Sequence, residues 1–304
     1  MHLVTLFITL LFLGACQEKK NDSSPTTVRS GTIHISVDES FRPVMEEQIR
    51  VFTESFPDAH IIAEYKTEAD CFKDLHRDTA NRMIIVTRGL TNEEDVFYLD
   101  SLKYRPRWNG IANDAIAVIV NSKSNDTLFT LERLRDQLSG KINRDQKVVF
   151  DGLNATSTVR FAMDSILKGQ KFDTSVVQAA RSSQEVINYI SKNENAIGFV
   201  GISWIGNPED SAQVNMLKNV KIAYVSCHVC DGEPFVKPMQ ASISTRRYPL
   251  VRGLYYILKE NYNGLGTGFV NFLSQERGQL IFKRAYLGTS MDFDVRRVKI
   301  NQKL

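Results

Sequence analysis

The chain has 304 residues, 42% of them hydrophobic and 24% charged, enough to bury a sizeable core and, at this length, to form about two domains. Its 38 Lys and Arg against 35 Asp and Glu leave a net charge of +3, too small to mark a nucleic-acid binder, and no basic block stands out.

The start of the chain is the most informative stretch. Leu3 to Leu13 is an apolar run of signal-peptide length, too short to span a bilayer as a mature helix. It ends in Leu13-Gly14-Ala15-Cys16, which resembles the lipobox of bacterial lipoproteins, so residues 1–15 are expected to be removed and Cys16 to carry a lipid. Residues 2–15 lack Lys and Arg, which leaves the positive end of this segment to the amino terminus and His2. Residues 16–30 are polar, contain Pro25 and lack apolar periodicity, as a solvated tether does. These features predict an exported protein anchored in the cell envelope, facing the periplasm or exterior. Of the three remaining cysteines, Cys227 and Cys230 can close a local disulfide, or stay as two buried thiols, while Cys71 is odd and expected to be buried.

Along the body, Thr32–Val37 is β-branched and alternating, and Pro43–Phe56 is amphipathic: a strand, a turn and a helix. Ile61–Tyr65, Glu68–Asp78 and Met83–Thr87 continue as strand, helix, strand. This alternation implies a parallel sheet flanked by helices. Ala115–Val120 reads as a buried strand, Leu131–Leu138 as a helix, and Lys147–Phe150 as a strand entering the turn Asp151-Gly152-Leu153-Asn154. Thr158–Leu167 and Ser183–Ser191 read as helices, and Ala196–Gly201 and Lys221–Val225 as strands. From Pro249, a pattern running through Leu254, Tyr255, Ile257 and Leu258 to Ala285 looks helical.

Two turns lie where a strand hands over to a helix, Val37–Ser40 and Phe150–Thr158. In parallel α/β sheets ligands collect at such carboxyl ends. The second turn places Asn154, Thr156, Ser157 and Thr158 before a helix, whose free N–H groups attract an anion. Plain capping, by Ser40 and by Thr156 or Ser157, explains the same residues equally well.

Several segments together resemble the phosphate-binding proteins of bacterial ABC importers, the PstS-like type II periplasmic binding proteins. They are Asp114–Asn121, Leu128–Leu134, Ala196–Gly201, Tyr248–Arg252 and Phe272–Gln279, and the likeness covers about Gly31 to Tyr286. It implies an α/β fold of two lobes, each a mixed, mostly parallel sheet flanked by helices: residues 31–120 plus 226–304 as lobe I and 121–225 as lobe II. The crossings would lie near Val118–Asn121 and Lys221–Ser226. It further implies a monomer without cofactor or metal that is not an enzyme, and that holds phosphate or a related oxyanion between its lobes for ABC permease subunits. The implied contacts are Asp38, Glu39, Ser40, Thr87, Arg88, Asn154, Thr156, Ser157 and Thr158. Four positions depart from the family pattern. Asp38 and Glu39 replace hydroxyls, Asp151 stands where an Arg is expected, and Arg82 or Met83 replaces an Asp. Asp38 is therefore expected either to accept a proton-bearing ligand oxygen or, with Glu39, to cap the first helix. Arg88 either clamps an anion or pairs with local acids, and Trp108 and Trp204 either line the cleft or pack in the lobes.

Two readings compete. A lipid-anchored sensor or accessory protein of the same fold, with an altered or lost ligand, suits the departures. A redox or metal site at Cys227-His228-Val229-Cys230 has the right spacing but lacks a second ligand pair. Gly264–Gly268 resembles a phosphate cradle yet has no Lys, and no strand is expected before it, so it reads as a helix break. Catalytic Ser, zinc-protease and nucleotide-loop motifs are missing from the chain.

Overall fold

The computed structural model describes residues 26–152, 156–291 and 293. The signal segment with Cys16, most of the tether, and Leu153, Asn154 and Ala155 lie outside the described residues.

In chain order the elements are β1 (Gly31–Asp38), α1 (Arg42–Ser55), β2 (Ala59–Lys66), α2 (Glu68–Arg77), β3 (Asn81–Val86), α3 (Asn92–Leu102) and β4 (Arg107–Asn121). Then come β5 (Leu128–Phe129), α4 (Leu131–Leu138), β6 (Lys147–Phe150), α5 (Ser157–Phe161, extended by a wider turn to Leu167), β7 (Val177–Ala179), α6 (Ser183–Lys192) and β8 (Ala196–Gly201). The remainder is α7 (Ser211–Met216), β9 (Val220–Ile222), β10 (Tyr224–Ser226), β11 (Phe235–Val236), α8 (Gln240–Ser244), β12 (Val251–Leu258), α9 (Leu265–Ser274), α10 (Glu276–Arg284) and β13 (Gly288–Thr289).

The main sheet runs β2-β1-β3-β12-β4-β8-β6-β7, with β13 and β9 added on β4. Pairings β1/β2, β1/β3, β6/β7 and β6/β8 are parallel, as expected from the β/α alternation. β12 runs antiparallel to β3 and β4, and β4 antiparallel to β8, which makes the sheet mixed. β4 belongs to both halves. Arg107 to Ala115 pair with β12, and Ile116 to Val120 with β8, so the sheet changes partner at Ala115/Ile116, a few residues before the crossing expected near Val118. Every residue from Ala115 to Val120 is buried, because a strand at the centre of a sheet covered on both faces has no wet side. Phe52 meets Phe269 and Phe272 edge-on beneath one half, and Phe150 stacks on Phe199 at 4.8 Å under the other.

Four expectations need correction. Val251–Leu258 is a strand rather than the start of a long helix. It lies between β3 and β4, where both faces are apolar, and Leu254, Tyr255, Ile257 and Leu258 then mimic helical spacing. The strand expected over Lys221–Val225 is two, β9 and β10, broken at Ala223, whose N–H turns to the Val118 carbonyl. α3 was not expected at all. Val96, Phe97 and Leu99 are exposed on it and Tyr98 is buried, so its apolar residues mark no single face, although Thr91 and Glu94 form a capping box. Gly264–Gly268 does follow a strand and does open a helix, but the buried Glu260 carboxylate already accepts the N–H groups of Gly266 and Thr267 there, at 3.0 Å each.

Cys227 and Cys230 are joined, and Cys71 is buried and free, so the first pair is a local disulfide rather than two thiols. No group of His, Cys, Asp and Glu among the described residues could hold a metal ion, and no described helix is long and apolar enough to cross a membrane.

Candidate functional site

The carboxyl ends of β1, β3, β6 and β8 converge, and the loops beyond them enclose a polar cleft where the halves of the sheet face each other. Asp38 ends β1. Its Oδ1 accepts the Ser40 N–H at 3.0 Å, holding a short 3₁₀ turn over Glu39–Phe41, while its Oδ2 is buried without a partner among the described residues. Ser40 contributes no cap to α1, whose N-cap is Phe41, so its hydroxyl is free to turn into the cleft. There it lies 3.4 Å from each of Asp151 Oδ2, Ser157 Oγ and Thr158 Oγ1. Gly201 permits this approach. A Cβ at that position would stand 3.0 Å from the Ser40 carbonyl, which also accepts from the Ser203 hydroxyl.

Thr156 caps α5 by accepting the Val159 N–H, which leaves Ser157 and Thr158 to the cleft. Arg252, on β12, is their partner. Its Nη1 donates to Ser157 Oγ at 2.8 Å and to Thr158 Oγ1 at 3.4 Å, its Nε donates to Asp114 Oδ2 at 2.8 Å, and its Nη2 is buried with no partner among the described residues. A second group spans the cleft. The Glu68 carboxylate accepts from the Thr87 N–H and hydroxyl and from the Arg160 guanidinium, whose Nη2 also donates to Thr87 Oγ1 at 2.6 Å. Glu39 does not cap α1 either, but reaches across to the Ser183 hydroxyl at 2.8 Å.

Five carboxylates therefore share the cleft with two guanidinium groups, and their surroundings sort them. Burial lifts Asp38 to about 7, outweighing the nearby Arg252. Burial likewise raises Asp151, Asp114 and Glu39, in each case more than Arg252 or a hydroxyl partner lowers them. Glu68 is the exception: burial would raise it, but the Arg160 pair and two bonds from Thr87 win and hold it below the usual carboxylate range. At neutral pH the cleft is thus less negative than its count of acids suggests.

Asp38, Glu39, Tyr65, Asp151 and Trp204 line a cavity of about 510 Å³, rimmed by Arg42 and Arg181. A neighbouring cavity of about 440 Å³ lies beyond Thr156, against Glu68, Phe72, Arg88 and Arg160. A larger one of about 610 Å³, lined by Val28, Phe56, Phe272 and Leu280, sits far from these converging groups.

A family model for the PBP superfamily domain matches residues 22–277. The chain belongs to the PBP superfamily. Its fold is that of the type II periplasmic binding proteins, which are solute-binding proteins rather than enzymes. The chain is similar to a phosphate ABC transporter substrate-binding protein with bound phosphate from Clostridium perfringens, with TM-score 0.69 and 22% identity over 86% of this chain and 100% of that one. It is similar also to an ABC-type phosphate transport receptor from Vibrio cholerae, at TM-score 0.61 and 17% identity over 84% and 99% of the two chains. PstS from Borrelia burgdorferi aligns at TM-score 0.53 and 17% identity, over 86% and 99%. At these identities the likeness establishes the fold. No curated protein sequence matches the chain.

Within this PBP cleft the residues singled out from sequence divide. Asp38, Ser40, Ser157 and Thr158 form one cluster, Glu39 and Thr156 border it, and Thr87 belongs to the Glu68 group. Asn154 lies outside the described residues. Arg88 stands at the margin, paired bidentately with Glu94 at 2.7 and 2.9 Å and stacked over Phe72, which fits local pairing. Trp204 lines the cavity, whereas Trp108 packs on Gly89 and Tyr255 away from it. Sequence reasoning passed over Glu68, Asp114, Arg160 and Arg252 as site residues. Asp114 and Arg252 stood in motifs already noticed, but nothing in a linear chain marks two residues 138 positions apart as cross-strand neighbours.

Proposed function

We propose that this PBP-superfamily protein is an exported, lipid-anchored solute-binding protein that captures an inorganic oxyanion, phosphate first, between two lobes and delivers it to an ABC importer. The observation that carries the reading is the buried Arg252. Its Nη1 holds the hydroxyls of Ser157 and Thr158, which adjoin that of Ser40, and its Nη2 is buried without a partner among the described residues, a donor set suited to anionic oxygens. The phosphate bound by the Clostridium relative, and the phosphate for which the Vibrio receptor is named, support the choice of ligand. Family membership supports export, and Leu13–Cys16 supports anchoring through Cys16. Lobe I would comprise residues 31–120 and 226–304, and lobe II 121–225. Bonds such as Glu39 to Ser183 and Glu68 to Arg160 would tie the lobes in a closed state that a permease reads. Asp38 Oδ2, buried and without a donor among the described residues, would accept the proton-bearing oxygen of phosphate and disfavour sulfate, which carries no proton.

A second reading keeps fold and anchor but makes the chain a sensor or accessory protein with an altered or lost ligand. Asp151 favours it, because a carboxylate among the hydroxyls opposes an incoming anion.

Calorimetric titration of the purified protein with phosphate, sulfate and molybdate tests the first reading. Saturable phosphate binding at micromolar or tighter affinity, weakened in Asp38→Asn, is expected. Silence from all three with the protein folded would sink the oxyanion reading and leave the second.

A further inference from the structure

Asp151 sits at the end of β6, where the ring of donors closes. Its Oδ2 accepts from Ser40 Oγ at 3.4 Å and Thr158 Oγ1 at 3.3 Å, both at the long limit of a hydrogen bond, and its Oδ1 is buried with no partner among the described residues. The same two hydroxyls adjoin Ser157, which Arg252 holds. A carboxylate oxygen thus stands loosely where short bonds to an anionic ligand oxygen would otherwise form.

We propose that Asp151 occupies the ligand's own seat as an internal anion, and that an oxyanion enters the cleft only together with a proton that neutralises Asp151. This rests on the oxyanion reading above and adds its ionic requirement. The groups facing Asp151 make the requirement plain. Asp38, Glu39 and Ser40 come from the end of β1, Thr156 and Thr158 from the start of α5, and Arg252 from β12 with Asp114 of β4 behind it. Arg42, Lys66 and Arg181 lie on the wall of the same cavity. Arg252 is already shared with Asp114, so it neutralises one charge rather than two. A ligand anion beside an ionised Asp151 would meet like charge in a site shielded from water, where repulsion is screened least. Protonated, Asp151 changes from competitor to donor: its O–H gives a hydrogen bond to a ligand oxygen while Ser40 and Thr158 turn to the ligand. Burial already raises its proton affinity in this direction.

The test compares the parent with Asp151→Asn, titrated with inorganic phosphate from about pH 5.5 to about pH 8.5, where proton-linked binding weakens by up to tenfold per pH unit once the linked group ionises. Phosphate itself and Asp38 titrate in both proteins, so the difference between the two profiles reports Asp151 together with its coupling to Glu39. The variant is expected to bind at least about tenfold more tightly at the alkaline end, with the gap closing toward the acid end. Calorimetry in buffers of different ionisation heat should show the parent taking up about one proton more per phosphate than the variant. Asp151→Ser serves if the Asn variant folds poorly. Parallel profiles with equal or weaker binding in the variant would overturn this proposal and leave the oxyanion reading standing. Folded parent and variants that all fail to bind phosphate at any pH would overturn both.

Discussion

Asp114 and Arg252 stand directly opposite each other on β4 and β12, and their side chains close a buried ion pair with Nε 2.8 Å from Oδ2. The pair lies at the point where β4 passes from one half of the sheet to the other, and it aims the rest of the guanidinium at Ser157 and Thr158.

Removing one member leaves the other charge buried and alone. Arg252→Met is expected to cost about 3–5 kcal/mol in urea unfolding, whereas Arg252→Met with Asp114→Leu should recover most of that loss. A double variant as unstable as the single one would show that the cost lies in packing rather than in the stranded Asp114.

Asp38 carries a pH dependence whose sign can be worked out. Its folded value of about 7 lies above the ordinary 3.8, so the folded state holds the proton more tightly than the unfolded chain. Stability contributed by this group is therefore full below about pH 4 and is lost as pH rises to about 7, by up to about 4 kcal/mol. Asp38→Asn keeps an acceptor for the Ser40 N–H but cannot ionise. Thermal melts at acid and alkaline pH should show the variant gaining on the parent as pH rises, with the difference levelling off above neutrality.

Glu68 joins α2 to α5 through Arg160 and holds Thr87 as well. Glu68→Gln weakens a charge-assisted bond worth about 1.5–3 kcal/mol. If the bond ties the halves together only in the closed state, ligand affinity should fall about tenfold or more and small-angle scattering should show a more open molecule. Unchanged affinity and shape would assign the bond to both states equally.

The buried Glu260 satisfies the first turn of α9, accepting from Gly266 N–H, Thr267 N–H and, at 3.2 Å, the Thr267 hydroxyl. Glu260→Ala strands these donors and should destabilise the fold by about 1–3 kcal/mol. Ligand binding, measured well below the melting temperature, should stay as in the parent, because α9 lies outside the cleft.

Most strands and helices were legible in the sequence because each covers one or two apolar faces, and that leaves a period of two or of 3.6 in the chain itself. Leu131–Leu138 was readable to the residue for this reason, and Ala196–Gly201 and Lys147–Phe150, buried almost throughout, were readable as short continuous apolar runs bounded by turn residues. α3 was not, since Val96, Phe97 and Leu99 face water, and β12 was misread, since a strand covered on both faces has no alternation to show. The turns holding Asp38, Ser40 and Thr156–Thr158 were found from local chemistry, because a strand leading into small polar residues and a helix is a short-range pattern. Whether Ser40 caps a helix or faces a cleft, whether Arg88 meets a ligand or Glu94, and which acid Arg252 neutralises were decided only by the tertiary structure. Strand order and register set the distances from Ser40 to Asp151 and from Arg252 to Asp114, residues more than a hundred positions apart whose pairing gains nothing until the sheet has formed, while Arg88 and Glu94, six positions apart, meet at the start of the unforeseen α3.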